Sequence, residues 1–356
     1  MSVDRDDFEL GVRARAGPLL ARAAAADVRA ERRLAAFTRD LSAANDLRLD
    51  DEVRAFALAI AARLIATIEN DIRLHASRLL SSEGAEALAP AGGIVDRLIA
   101  AGLLQDAALV EELVARAWCD IIAARLPIAA REDAERPSLL PRLANGPDRV
   151  IASAASAAMA ADVRRQGRDS DAGRNDLPAE LHHRLVWWVA ASLRPSSAPA
   201  TTDAALTDAA RRALAAHDEG ARLEAATGRL AAALDPDLSE LPALVEEAFE
   251  DRRLVLVIAL LAQGLSIDAD LARQIVLDPE GDRLWLALRA LDFPRAGIAR
   301  IALALGEADR RRDAERFIES IDPLMAMPIR AAHEIFAKYR LPKDYRAAAS
   351  AIERLQ

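Results

Sequence analysis

The chain has 356 residues, of which 52% are hydrophobic but only 4% aromatic, and its 47 basic residues are outnumbered by 56 acidic ones, for a formal charge of −9. This is enough chain for one large or two medium cores, and the composition is globular. The acidic balance speaks against nonspecific nucleic-acid binding and against anionic membrane surfaces, both of which need a cationic face.

Alanine supplies much of the apolar fraction, and apolar residues recur at three- and four-residue spacing with no strand-like alternation. An all-α fold is expected. In chain order, helices are expected at 4–26, 29–44, 50–68, 70–82, 93–103 and 107–124, then at 147–165 and 178–194. They continue at 203–216, 221–233, 239–250, 252–264, 268–277, 281–291, 295–306, 309–321, 328–339 and 343–354. Segments 126–149 and 166–177, rich in proline or in polar residues and glycine, read as longer loops. The stretch 195–202 has the small, polar, proline-containing composition of a linker, dividing an N-terminal helical domain (1–194) from a C-terminal one (203–356).

An internal repeat supports stacked helix pairs. Residues 100–114 align without gaps to 262–276, sharing seven of fifteen positions, among them Gly102/Gly264, Leu103/Leu265 and Asp106/Asp268. The spacing predicts a left-handed glycine closing one helix and an aspartate capping the next. A looser relative occupies 290–302. Antiparallel pairs of this kind build α-solenoids.

Two stretches resemble a bacterial family, domain of unknown function 2336, through Ile68, Glu69, Ile72, Arg73 and Leu80 in "IENDIRLHASRLLS" and through Asp176, Leu177, Pro178, Leu181, Arg184, Leu185, Trp187, Trp188, Val189, Leu193 and Arg194 in "DLPAELHHRLVWWVAASLR". His182 and Val186 depart from the second pattern, and Ala76 and Ser77 from the first. The resemblance implies an all-helical fold with HEAT-like repeats and brings no activity with it.

On a helical wheel of 178–194, Leu181, Leu185, Trp188, Val189 and Ser192 share one face, expected to be core, with a hydrogen-bonded His182 at its edge. His183, Trp187 and Arg194 lie opposite, as either a second packing layer or an interaction surface, since Trp and Arg are favoured at hot spots. His75 falls in the stripe of Ile68, Ile72 and Leu79 and is expected to be a core histidine. "HEIFA" at 333–337 has Ala337 where a zinc-protease helix needs its second histidine. Seven acidic residues and no basic one lie between 235 and 251, expected as a solvated helix face, with docking of a basic partner as the alternative.

No phosphate-binding glycine loop, nucleophile elbow, clustered cysteines or dinucleotide fingerprint is present, so no catalytic residue, cofactor or metal is assigned. The single cysteine, Cys119, and an opening unlike a secretion signal point to the cytoplasm. The longest apolar run, 254–267, is too short to span a bilayer and reads as a buried helix. The expectation is a scaffold, adaptor or regulator that binds other proteins, neither nucleic acid nor membrane-inserted, with a homodimer left open. Two alternatives accompany it: a phosphotransfer protein accepting a phosphoryl group on His183, and a HEAT-like DNA-repair glycosylase.

Overall fold

The computed structural model describes residues 22, 26, 37, 49–86, 88, 93–127, 137–166, 176–195 and 199–353. The helices expected at 4–26 and 29–44 lie almost wholly outside the described residues. Among those described there are seventeen α-helices and no strand, so the fold is all-α. The chain divides into two compact units, one formed by 32–117 and 159–226, the other by 1–31, 118–158 and 227–356.

The first unit is built around α1 (Asp51–Leu79), α7 (Ala179–Ser192) and α8 (Ala200–Ala215), which pack on one another, with α3 (Ile94–Ala100) against α7. Asp50 starts α1 by accepting from the Glu52 amide at 3.1 Å, satisfying one of the free N–H groups of the first turn. The helix then runs unbroken for 29 residues, where two helices separated near residue 69 were expected. Polar Glu69 does not end it, because Arg73 one turn later donates to its carboxylate at 2.8 Å, and the next buried positions, Ile72 and Ala76, keep the apolar stripe in phase. Buried alanines 205, 209, 210 and 213 let α8 lie close against α1 and α7.

Helix α8 follows the segment 195–202 yet belongs to the same unit as α7, so the compact units do not separate there. The alanine face of α8 is buried chiefly against α1 and α7, which precede it in sequence. The short helix α2 (Ser82–Glu86), part of α4 (Ala107–Arg125), the end of α6 (Arg149–Arg165) and the start of α9 (Leu223–Leu234) complete this unit.

The other unit contains α5 (Leu139–Ala144), which lies within the loop expected at 126–149, and the run α10 (Leu241–Glu250), α11 (Leu254–Leu265), α12 (Ala269–Leu277), α13 (Asp282–Ala290), α14 (Arg295–Ala308), α15 (Ala314–Ala326), α16 (Ile329–Ile335) and α17 (Lys343–Glu353). Helix α11 is buried nearly all round, and the chain turns by 118° into α12. No single helix among the described residues is long and apolar enough to cross a membrane.

Three helices of this unit end alike. After α10, α11 and α13, a left-handed residue (Arg252, Ser266, Asp292) is followed by an amide that bonds five residues back: Arg253 to Ala248, Ile267 to Ala262 and Phe293 to Leu288, at 2.8 to 3.0 Å. This is the Schellman closure, made here without glycine. It also corrects the role expected for Gly264. Gly102 does adopt the left-handed cap, and Asp106 caps α4 by accepting from Ala108 and Leu109. Gly264 instead lies within α11, where a Cβ would come within 2.6 Å of Leu241 and 2.9 Å of Leu291; it allows close helix approach, and Ser266 supplies the cap. The helix expected at 309–321 begins at 314, because Asp309 is buried as the acceptor of Arg311 and Asp313 caps the amides of Glu315 and Arg316.

Candidate functional site

Residues of the internal repeat at 100–114 and of the second family-like motif line one cleft in the first unit. Its walls are Gly102, Leu103, Asp106 and Leu109 from the turn and start of α4, and Leu181, Arg184, Leu185 and Trp188 from α7, around a small cleft of about 110 Å³. The left-handed Gly102 turns the chain so that Leu103 packs inward and Asp106 caps α4. The second carboxylate oxygen of Asp106 then accepts from Arg184 at the rim. A leucine floor, a half-exposed arginine and Trp188 at 37% exposure make a pocket suited to an apolar side chain, with a polar rim to orient it.

The exposure of Trp188 differs from the core position expected of it. The residues of α7 that are buried are Leu181, His182, Leu185, Val186, Val189 and Ala190. On a 100° wheel, that arc is centred near His182 and Val189, about 70° from the centre the apolar pattern suggested. Trp188 therefore stands at its margin, over the cleft. His182, expected at the border, is instead 4% exposed and central.

Of the three candidate surface residues, His183 and Arg194 are exposed and Trp187 is half-buried, and they form two separate pairings. The indole N–H of Trp187 donates to Nε2 of exposed His183 at 3.2 Å, the two rings meeting edge to face. Arg194, also exposed, turns away to a two-pronged pair with Asp203 at 2.6 and 3.2 Å. Each raises the preference of the other for its charged form: the hydrogen bond lifts the Arg194 pKa and lowers that of Asp203.

The remainder of the second motif has internal work. Asp176 receives Arg116, Leu177 is fully buried, Pro178 stands at the start of α7 and Leu193 is buried at its end. In the first motif Glu69 and Arg73 pair, while Ile68 and Ile72 are core. His75 is only half-buried and Leu79 is exposed, so the stripe stops being core at Ala76. Burial, Arg212 and Arg78 lower the His75 pKa.

Sequence reasoning passed over His217. It stacks on His182 with ring centroids 4.0 Å apart and planes 16° from parallel. Burial first, and His217 second, push the His182 pKa down to about 4. Burial likewise lowers that of His217. The pair lies 35 residues apart in the chain, and nothing in local periodicity marks it.

In the acidic segment, Glu246 accepts from Arg300, Glu247 from Arg142 at 2.5 Å and Asp251 from the Leu139 amide, so three of its seven carboxylates tie α10 to neighbouring elements. His333 lies against Arg340, and no group of three or more His, Cys, Asp or Glu among the described residues is arranged to hold a metal ion. In comparison with known proteins, the chain matches no family model, no curated protein and no solved structure.

Proposed function

We propose that this is a solenoid-like stack of antiparallel helix pairs, related to domain of unknown function 2336, that works in the cytoplasm by binding other proteins as an adaptor or regulator. The repeated glycine-free closures after α10, α11 and α13 favour a repeat origin. One observation carries the functional reading: Trp188 stands exposed beside Arg184 over a leucine-lined cleft, the residue types and setting of an interaction hot spot. The ligand that fits is a protein segment inserting an apolar side chain against Leu103, Leu109 and Leu185. His183 and Trp187, each one residue before Arg184 and Trp188, lie about 100° round α7 from them and outside the cleft lining. The contact of Trp187 with Nε2 of His183 lends the phosphoryl-acceptor alternative no support, and the net charge of −9 disfavours a DNA substrate.

Quantitative co-purification from native extract tests this with three baits: the wild type, Trp188→Ala, and Leu303→Ala, which alters an exposed leucine of the other unit. A protein retained by wild type and Leu303→Ala but lost by Trp188→Ala supports the reading. Equal recovery by all three removes the cleft from it.

A further inference from the structure

We propose that His182 and His217 form an acid-sensitive latch that holds the start of α7 against the end of α8 and that, when released, moves the cleft wall carried by α7. The second half of this rests on the functional reading above; the latch itself does not.

The geometry is unusual for two titratable rings. They lie face to face at 4.0 Å, close enough that only neutral rings are comfortable. Neither nitrogen of His182 has a well-formed hydrogen-bond partner, nor does Nε2 of His217. The backbone offers only partial compensation, the Ala213 carbonyl towards His182 and the Leu177 carbonyl towards His217. Those carbonyls are crosswise: Ala213 is on α8 and Leu177 leads into α7, so each ring is tied to the other's element. The other charges that act on the pair are His183 on α7 and, in the turn after α8, Asp218, Glu219 and Arg222. Among the described residues, α1 and α3, which also pack on α7, add none. No carboxylate is therefore set to stabilise a proton on His182, and a proton on one ring disfavours a second on the other.

The direction follows. Closed, His182 stays neutral down to about pH 4, whereas released it takes a proton near 6.5. Going from pH 7 to pH 5 then favours the released form by about 20-fold through His182 alone. Leu181, Arg184, Leu185 and Trp188 are on the same helix, within two turns of His182. A shift of α7 against α8 is thus a shift of one cleft wall against Gly102–Leu109.

The test uses the full chain labelled with ¹³C at histidine Cε1 and with 5-fluorotryptophan, titrated from pH 7.5 to 4.5. His182→Phe and Trp188→Phe assign the resonances, and the phenyl ring keeps the stack without the proton. The expected result is a His182 resonance that titrates well below 6.5, and a Trp188 fluorine shift that tracks it while helical circular dichroism stays constant. In His182→Phe that fluorine shift is lost. A His182 midpoint near 6.5, a Trp188 signal that does not follow it, the same shift in His182→Phe, or a shift accompanied by loss of helix each overturns the latch. If His182→Phe does not fold, the wild-type titration still decides. None of these readouts needs a partner, so failure of the latch and failure of cleft binding are separable.

Discussion

Arg116 donates to the main-chain carbonyl of Asp176, sixty residues further on, and its guanidinium lies 3.6 Å from the Asp176 carboxylate. It also pairs with Glu112 at 2.7 Å, one turn earlier on α4. Arg165 and Arg222 join Glu224 and Glu112 in the same buried network, so three arginines and three carboxylates fix the segment entering α7. The two carboxylates nearest its centre differ. Burial and then Glu224 raise the Asp176 pKa against the pull of the arginines. Burial alone would raise Glu224 too, but Arg165, Arg116 and Arg222 together bring it well below the usual carboxylate range. Removing a charge that is already disfavoured differs from stranding its partners. Asp176→Asn is expected to change unfolding free energy by less than about 1 kcal/mol, whereas Arg116→Ala costs about 3 kcal/mol by leaving buried carboxylates unpaired. Urea unfolding of the two variants checks the contrast, and equal losses would sink it.

The histidine pair also predicts how stability depends on acid. With a folded pKa of about 4, below the unfolded 6.5, the folded chain binds fewer protons than the unfolded one in between. The contribution is therefore fully present above about pH 6.5 and lost as pH falls towards 4, at up to about 1.4 kcal/mol per unit. Calorimetry at pH 7.0, 6.0 and 5.0 is expected to show a steeper fall in Tm for wild type than for His182→Phe.

Much of the fold is legible in the spacing of apolar residues, because helices such as α12 and α14 bury one clean stripe and end at Asp or Pro. The site is less so, and the residues say why. Periodicity finds the buried arc of α7 only as well as hydrophobicity marks it. There the arc contains a histidine and an alanine, while a tryptophan lies outside it, so the pattern points about 70° away from the true core. His182 is buried by a ring from the turn after α8, a long-range contact that no local window contains. The break expected near residue 69 fails for a related reason: Glu69 reads as polar alone and as a satisfied buried group once Arg73 is beside it.

Glycines test the difference between a cap and a close approach. At Gly264 an added methyl meets Leu241 and Leu291, both fully buried, while at Gly228, exposed in α9, it meets nothing within 4 Å. Gly228→Ala is expected to stabilise by about 0.5–1 kcal/mol, because a helix interior favours alanine. Gly264→Ala is expected to destabilise by about 1 kcal/mol net, overpacking outweighing the same gain. Thermal unfolding of both variants would show opposite signs.

The three glycine-free closures give the converse. Ser266 and Asp292 hold φ of 54° and 58°, where a side chain crowds the backbone. Replacing either by glycine removes that strain and is expected to raise stability by about 0.5–1 kcal/mol, less than the full strain because the unfolded chain also gains freedom. A loss of stability in Ser266→Gly would mean that its side chain makes a contact that outweighs the strain.

Trp188 and Leu185 are neighbours on the cleft but different in kind, and truncating each separates binding from folding. Leu185 is 2% exposed, so Leu185→Ala removes packed core and is expected to cost about 2–4 kcal/mol of stability. Trp188 already meets solvent over more than a third of its surface, and its ring rests on the rim beside Arg184. Trp188→Ala is expected to cost less than Leu185→Ala, because the ring stands at the rim of an open cleft and its removal leaves no closed cavity in the core. If Trp188→Ala instead unfolds the chain as readily as Leu185→Ala, the tryptophan is a packing residue, and the cleft loses its strongest claim to a partner. A near-native Tm in Trp188→Ala, measured on the same preparation used for co-purification, makes loss of a bound protein attributable to the surface itself.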